Sequence, residues 1–338
     1  MNVFLTGASG YLGGHCAEAF LHHGSKVTAC VRASSRVAFL ESLGVTLHTA
    51  ALDQTDELRR GMRGADVVVH VAAKVEPAGG WQEYLEATID GTRHVLEAAA
   101  AAGVRQVIYI SSVGVYERPA REGILFEETC AYGTPYRWRY YARAKIEAEQ
   151  LVREAHAQKR LVTTILRPTW IYGPRDTTTV GRTISALRSG RVKWIGSGDN
   201  RLNLVYATDA AQAIVLAATN RRADGQIYNV ADDSNSPTQR QFLTRICELL
   251  DLPSPRGSMS YRLAHNIGFL SECLTHATAF RVRFPITRLS VLFLGGRRRF
   301  SNEKIRTELA WKPSVSFEDG IHRTIEWFRT VPSRGRPD

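Results

Sequence analysis

The feature that most constrains this fold is a rhythm in the first 170 residues, where short apolar runs alternate with helix-like stretches. The runs cover residues 3–5, 26–31, 45–48, 66–72, 106–110 and 161–166. Several are continuous and rich in valine and isoleucine, as strands buried on both faces are. The helical patterns between them cover 14–23, 35–43, 56–62, 81–102 and 140–157, and Gly24, Gly44, Gly64 and Gly103 follow several of them as helix stops. Strand alternating with helix predicts an α/β protein with a parallel, doubly wound sheet. Beyond residue 170 the rhythm loosens. Strand-like pieces at 192–195, 203–205 and 226–230 alternate with helices at 208–218, 239–250 and 317–329. No low-complexity linker or internal repeat divides the chain. Residues 1–170 therefore read as one domain, with segments at about 200–230 returning to it, and 171–330 as a smaller C-terminal α/β substrate lobe.

The first strand runs directly into a glycine-rich turn, VFLTGASGYLGG, with Gly7, Gly10 and Gly13 three apart and a helix following. Glycine suits a tight turn, a close approach of backbone to a pyrophosphate, and hard packing of helix on strand. Unpaired N–H groups at the helix N-terminus then meet the phosphates. A glycine pattern alone is a weak signal. Its strand–turn–helix context makes this a Rossmann-type nucleotide fold, with Gly7, Gly10, Tyr11, Leu12 and Gly13 facing the cofactor.

Selection for NAD would place Asp or Glu about 20 residues past the loop, on the ribose hydroxyls. Here the second strand ends ACVRASSR, without an acid. A guanidinium grips a 2′-phosphate that a carboxylate would repel. The expected cofactor is NADP(H), with NAD(H) as the second choice, and Arg32 is the main determinant with Arg36 behind it. Solvated surface arginine is the bland alternative, and it fits Arg36 better than Arg32. Asp53 could accept the adenine amino group or cap a helix, or both. Ala72 and Ala73, after the fourth strand, are small enough to let backbone lie beside the cofactor.

Tyr141 and Lys145 stand four apart in RYYARAKIEAEQLV, hence on one helix face. A free tyrosine titrates near pH 10, too high for acid–base work at neutrality, and a nearby ammonium lowers that value. Tyr140 is the decoy, because its partner four residues on is Ala144. Ser112 lies where the fifth strand ends, in YISSVGVY, and carboxyl ends of parallel strands are where such sheets bind ligands.

The glycine turn, the YISSVGVY strand end and the YARAK helix together resemble the extended short-chain dehydrogenase/reductase superfamily, from residue 1 to about 330. LRPTWIYGPRD, LVYATDAAQA, GQIYNVADD and LAWKPSVSFEDGIHRTIEWF extend the likeness. The resemblance implies a catalytic triad of Ser112, Tyr141 and Lys145. It also implies nicotinamide contacts from Pro168, Thr169 and Ile171. Dehydratases of that superfamily carry Thr-Asp-Glu at the serine, where this chain has Ser112, Val113 and Gly114. Sugar epimerases usually carry asparagine where Trp170 stands. The LRPTWIYGP and FPITRLSVLFLGGRRRFSNEKIRTELAW segments resemble the 3β-hydroxysteroid dehydrogenase-like and dihydroflavonol reductase-like branch. That branch implies an oxidoreductase interconverting ketone or aldehyde and alcohol on a bulky, often apolar small molecule. A nucleotide-sugar epimerase or dehydratase is the alternative.

Composition excludes other classes. With 44% hydrophobic and 23% charged residues the chain is an ordinary globular one, and no apolar stretch is long enough to span a bilayer. Five scattered cysteines and ten histidines show no metal-ligand spacing, so no metal is expected. The opening MNVFLTG lacks a signal-peptide pattern, and the expected location is the cytoplasm. The net charge of +11 comes without a nucleic-acid motif, so no nucleic-acid partner is expected. Residues 273–302 hold six arginines (Arg281, Arg283, Arg288, Arg297, Arg298 and Arg299) and no acid. A solvated basic face is the first reading there, ahead of peripheral contact with anionic lipid or a groove for an anionic substrate carrier. Residues 117–137 form a long loop of the kind that makes lids. The apolar clusters at 267–270 and 289–294 read as core packing ahead of pocket lining, and Trp170 as either. Resembling proteins commonly form homodimers through the helices at 81–102 and 140–157, a point the sequence does not test.

Overall fold

A computed structural model describes residues 1–75, 79–117, 124–233, 236–278 and 286–330. Its centre is a seven-stranded parallel sheet: β1 (Asn2–Thr6), β2 (Lys26–Val31), β3 (Thr46–Thr49), β4 (Val67–His70), β5 (Gln106–Ile110), β6 (Val162–Pro168) and β7 (Ile227–Val230). Their order across the sheet is β7-β6-β5-β4-β1-β2-β3. The chain winds outward from β1 in one direction and from β4 in the other, so the order reverses between β1 and β4. Ligands of open α/β sheets bind outside the strand ends at that reversal.

The valine-rich runs form strands because both faces are covered. Val3 and Leu5 of β1, Val67 and Val69 of β4, and Ile108 and Ile110 of β5 share one buried cluster. Phe4, Val68, Val107 and Tyr109, at the intervening positions, share the other. On the first face lie α1 (Tyr11–His22) and, packed against it, α3 (Ala207–Thr219). On the second lie Thr55–Gly61, Gly91–Ala101 and α2 (Tyr140–Ala157).

A third cluster gathers Tyr172, Ile184, Leu204, Tyr206, Phe242, Phe317 and Ile325. Two short parallel strand pairs adjoin it, Trp170–Tyr172 with Leu204–Tyr206 and Trp194–Ile195 with Ser258–Met259, while a third, Leu125–Phe126 with Arg299–Phe300, packs in a separate cluster with Val115 and Tyr116. Asp209, in the first turn of α3, accepts hydrogen bonds from Ser314 N and Val315 N and so ties in the C-terminal segment.

Three expectations need correction. The helix expected at 81–102 is interrupted: Trp81–Tyr84 is α-helical, Leu85–Asp90 is a wider π-helical turn, and Gly91–Ala101 resumes the α-helix. A Cβ on Gly91 would come within 2.8 Å of Leu52 Cδ1, so the resumed helix sits hard against the loop after β3. Asp53 is not a helix cap. The helix begins at Thr55 with Gln54 at the cap position, and Asp53 is exposed. The apolar cluster at 267–270 is not core. Phe269 and Leu270 on α4 (Tyr261–Ala277) are exposed, whereas Val291 and Phe293 of the second cluster are buried. Arg281 and Arg283, and residues 118–123 of the expected lid, lie outside the described residues. Among the described residues no helix is long and apolar enough to cross a membrane, and no cluster of side chains could hold a metal ion.

Candidate active site

The glycine turn is built by close contact. Gly7 has φ +70°, and a Cβ there would lie 2.6 Å from Ala72 N. Gly13, in the first turn of α1, leaves no room either, because its Cβ would be 2.0 Å from Gly7 O. Gly10 caps α1 with extended backbone and no side-chain hydrogen bond, so no side chain of the cap competes for the donors of the first turn. A cradle closed to side chains and rich in N–H groups fits a pyrophosphate. Behind it, Thr6 Oγ1 meets His70 Nδ1 at 2.7 Å and His70 Nε2 meets Thr92 Oγ1 at 3.0 Å. Burial, with the Lys145 charge nearby, pulls His70 down to about 3, so the ring is neutral and fixes the β1 and β4 ends together. Ala72 and Ala73 are half-buried beside the turn, Leu12 is buried, and the buried Tyr11 Oη has no hydrogen-bond partner among the described residues.

Arg32 and Arg36 are exposed at the end of β2, where Ser35 Oγ accepts from Arg32 N at 3.0 Å. Neither guanidinium has an ion-pair partner among the described residues. Asp53 stands at the corresponding end of β3.

Ser112 follows β5 and caps a short 3₁₀ turn, its Oγ accepting from Gly114 N at 3.1 Å. The Ser112 hydroxyl is also the hydrogen-bond partner of Tyr141. Lys145 is 2% exposed and donates to Ile110 O at 2.6 Å, with its ammonium 4.8 Å from the centre of the Tyr109 ring. Ser112, Tyr141 and Lys145 thus converge at the carboxyl end of β5. Tyr140 turns away into an aromatic group with Trp81 and Tyr84.

The electrostatics differ from the expectation that Lys145 lowers Tyr141. Burial pushes Tyr141 up to about 12, and the Ser112 hydrogen bond offsets only part of that. Burial also pulls Lys145 down to about 7, opposed by Glu149. The ammonium is committed to the Ile110 carbonyl, so its field acts on the strand end first. Lys145 is the group poised near neutrality.

Two residues that sequence reasoning missed set this environment. Glu149, fully buried, pairs with Arg167 of β6, which is 1% exposed. Arg167 Nη1 also donates to Tyr116 Oη at 2.5 Å, and Tyr132 Oη donates to Glu149 at 2.9 Å. The available signal was the step Tyr141, Lys145, Glu149, four residues each, which continues one helix face.

Beyond β6, Pro168 ends the strand and Thr169 N donates to Val230 O at 3.0 Å. Ile171 is half-buried in the next short strand, and Trp170 packs its ring 4.7 Å from Phe293. The following loop is latched to α1. Arg175 pairs with Glu18, His15 Nε2 meets Pro174 O at 3.1 Å, and Asp176 accepts from Thr179 N and Val180 N.

Residues 3–231 match the model of the NAD dependent epimerase/dehydratase family. Across 325 residues, 95% of each chain, the protein is 30% identical to 4-hydroxy-2-methyl-3-oxo-4-farnesyl-3,4-dihydroquinoline-1-oxide ketoreductase of Stigmatella aurantiaca. It is 27% identical to the decarboxylating sterol-4-alpha-carboxylate 3-dehydrogenase of Mus musculus over 336 residues, 95% of this chain and 89% of the relative. The crystal structure of gox2253 superposes with a TM-score of 0.78 at 25% identity, covering 99% of both chains. On the family match and the relative at 30% identity, the chain belongs to the NAD dependent epimerase/dehydratase family, within the extended short-chain dehydrogenase/reductase superfamily of nicotinamide-dependent oxidoreductases.

Proposed function

We propose that this chain is an NADPH-dependent ketoreductase acting on a bulky, apolar small molecule, with Ser112, Tyr141 and Lys145 as its catalytic residues. The observation that carries the reading is the convergence of those three side chains at the carboxyl end of β5, beside the glycine cradle. When bound, the nicotinamide supplies the hydride. Ser112 Oγ and Tyr141 Oη hold the carbonyl oxygen, and their hydrogen bonds strengthen as negative charge develops on it. Tyr141 donates its proton to that oxygen. Lys145, charged below about pH 7, stabilises the phenolate that remains. In the reverse direction Tyr141 is the base. Arg32 and Arg36, exposed and without ion-pair partners among the described residues, would take the 2′-phosphate, and Asp53 the adenine edge. Pro168, Thr169 and Ile171 would line the nicotinamide, with residues 171–330, apart from the segments at about 200–230 that return to the sheet, forming the substrate side.

Support for an apolar substrate comes from the relatives, whose names specify a farnesyl-bearing dihydroquinoline oxide and a sterol carboxylate. The test begins with thermal protection by NADPH against NADH. A ketone and aldehyde panel, including prenylated and polycyclic ketones, is then followed at the nicotinamide absorbance. Net NADPH oxidation is expected, with Tyr141→Phe abolishing turnover while keeping cofactor protection. Near-normal turnover in Tyr141→Phe refutes the mechanism. Interconversion of a nucleotide sugar without net NADPH oxidation refutes the reductase reading in favour of an epimerase.

A further inference from the structure

Helix α4 (Tyr261–Ala277) is oriented against its own pattern. Leu263, Ile267, Leu270 and Leu274 recur at intervals of four, three and four, the spacing of a stripe that ordinarily faces a core. Yet Leu263, Leu270 and Leu274 are 52%, 61% and 51% exposed, and Phe269 beside them is 42% exposed. Apart from Tyr261 and the half-buried Ile267, the residues that meet the rest of the protein are small or polar. Ala264 and Gly268 are buried, and a Cβ on Gly268 would lie 2.7 Å from Arg288 N. Glu272 accepts from Arg288 N at 2.8 Å and from its Nε at 2.7 Å.

The apolar stripe continues onto an aromatic rim. Arg288 lies 4.4 Å from the Trp138 ring centre and 4.9 Å from that of Phe269. Trp138 stacks on Tyr136 with ring centres 5.0 Å apart, and both are exposed. Trp138 is three residues ahead of Tyr141, so the patch ends beside the segment that leads into the proposed site. Scattered exposed leucines are ordinary, but a contiguous stripe bordered by aromatics is not.

Charge selects the occupant. From residue 252 to 302 the only acid is Glu272, already engaged by Arg288, whereas Arg262, Arg297 and Arg299 are exposed, as is Arg137 on the aromatic rim. A second copy meeting this face symmetrically would bring Arg262 and Arg137 of both copies into one interface with no acid of the stripe left to pair them. An anionic bilayer complements them: leucines enter the hydrocarbon edge, and Trp138 and Tyr136 sit at headgroup level. At 17 residues interrupted by Arg262, His265, Asn266 and Glu272, α4 suits lying on a membrane.

We propose that the exposed Leu263–Leu274 stripe of α4, with its aromatic rim and arginines, docks this protein on anionic lipid. The inference does not depend on the redox reading. If both hold, an apolar substrate dissolved in the bilayer would lie next to the residues preceding Tyr141.

The test is co-sedimentation of the full chain with phosphatidylcholine vesicles containing roughly 30% phosphatidylglycerol, against pure phosphatidylcholine, at low and high salt. Expected is binding to the anionic vesicles that weakens with salt. The Leu270→Ser/Leu274→Ser variant, with an unchanged melting midpoint, should bind about a hundredfold more weakly, each leucine contributing roughly tenfold. Wild-type protein left in the supernatant at low salt overturns the proposal. So does a variant that sediments like wild type. A concentration-dependent dimer in analytical ultracentrifugation that Leu270→Ser abolishes also overturns it, assigning the face to a second copy.

Discussion

Replacing Glu149 by Gln probes stability and the Lys145 charge together. Glu149 is fully buried and holds the nearly inaccessible Arg167 guanidinium. Breaking a buried pair from one side costs about 3–5 kcal/mol, and because Gln retains an acceptor for Arg167, about 3 kcal/mol is expected. For a chain of 338 residues that corresponds to a fall of roughly 4 °C in the melting midpoint. Glu149 also supports the Lys145 charge from one helical turn away. At about 6 Å and an effective dielectric near 20, Coulomb's law gives roughly 3 kcal/mol, or two pKa units. Arg167 stays in place in the single variant, so its own effect on Lys145 is unchanged and the loss is the full roughly two units. Losing the negative charge lowers Lys145 further, so the alkaline limb of ketone reduction, set by deprotonation near pH 7, moves about two units toward acid. The assay is kcat/KM against pH from about 5 to 9, beside thermal melts of the same samples. The double variant Glu149→Gln/Arg167→Gln should regain much of the stability, because no buried charge is left unpaired, and keep about half of the shift in the limb, because the Arg167 charge is lost as well. A destabilised Glu149→Gln with an unmoved limb refutes the assignment of Lys145 as the titrating group. An unchanged midpoint refutes the energetic reading of the pair.

Arg32→Ala should raise KM for NADPH by about ten- to a hundredfold and leave NADH unaffected, as loss of one charge-assisted contact predicts; equal effects on both cofactors would remove Arg32 from the 2′-phosphate site. Gly13→Ala forces a methyl against Gly7 backbone that cannot yield, so nucleotide protection in a thermal-shift assay should disappear and the apo midpoint should fall, by about 1–3 kcal/mol in stability. Lys145 is charged in the folded chain only below about pH 7, against an ordinary value of 10.5. The unfolded state therefore holds the extra proton between those values, and stability rises with pH across that window by at most about 5 kcal/mol. Denaturant melts at stepped pH should show that component of the slope vanish in Lys145→Met.

The strands were legible because burial on both faces writes an unbroken apolar run, and β2 and β5 fall where the runs at 26–31 and 106–110 do. The helix at 81–102 was not, because a wide turn at Leu85–Asp90 preserves helical composition while changing the hydrogen-bond register. The cluster at 267–270, expected to be core packing, lies instead on the exposed side of helix α4. Its leucine stripe has the spacing of a core face, and only the three-dimensional arrangement shows Ala264 and Gly268 turned inward instead. At the candidate site, Ser112, Tyr141 and Lys145 were visible through spacing and strand-end position. The Glu149–Arg167 pair was not, since its members come from a helix and a strand whose meeting is a tertiary fact. The same holds for Thr6, His70 and Thr92, three ordinary-looking residues that only the sheet order brings into one chain of hydrogen bonds.

The position of β7 at the sheet edge has a consequence for how the chain is made. Strand β6 ends at Pro168, but its outer neighbour does not begin until Ile227, so during synthesis one side of β6 stays without its partner while about 60 further residues are added. At ordinary elongation rates of about 5–20 residues per second that interval is roughly 3–12 s. A bare parallel edge is a template for wrong pairing, so this is the period in which a nascent chain is most exposed to association through its sheet. Thr169 is anchored to Val230, which means that the candidate site cannot take its final shape until that last strand has arrived.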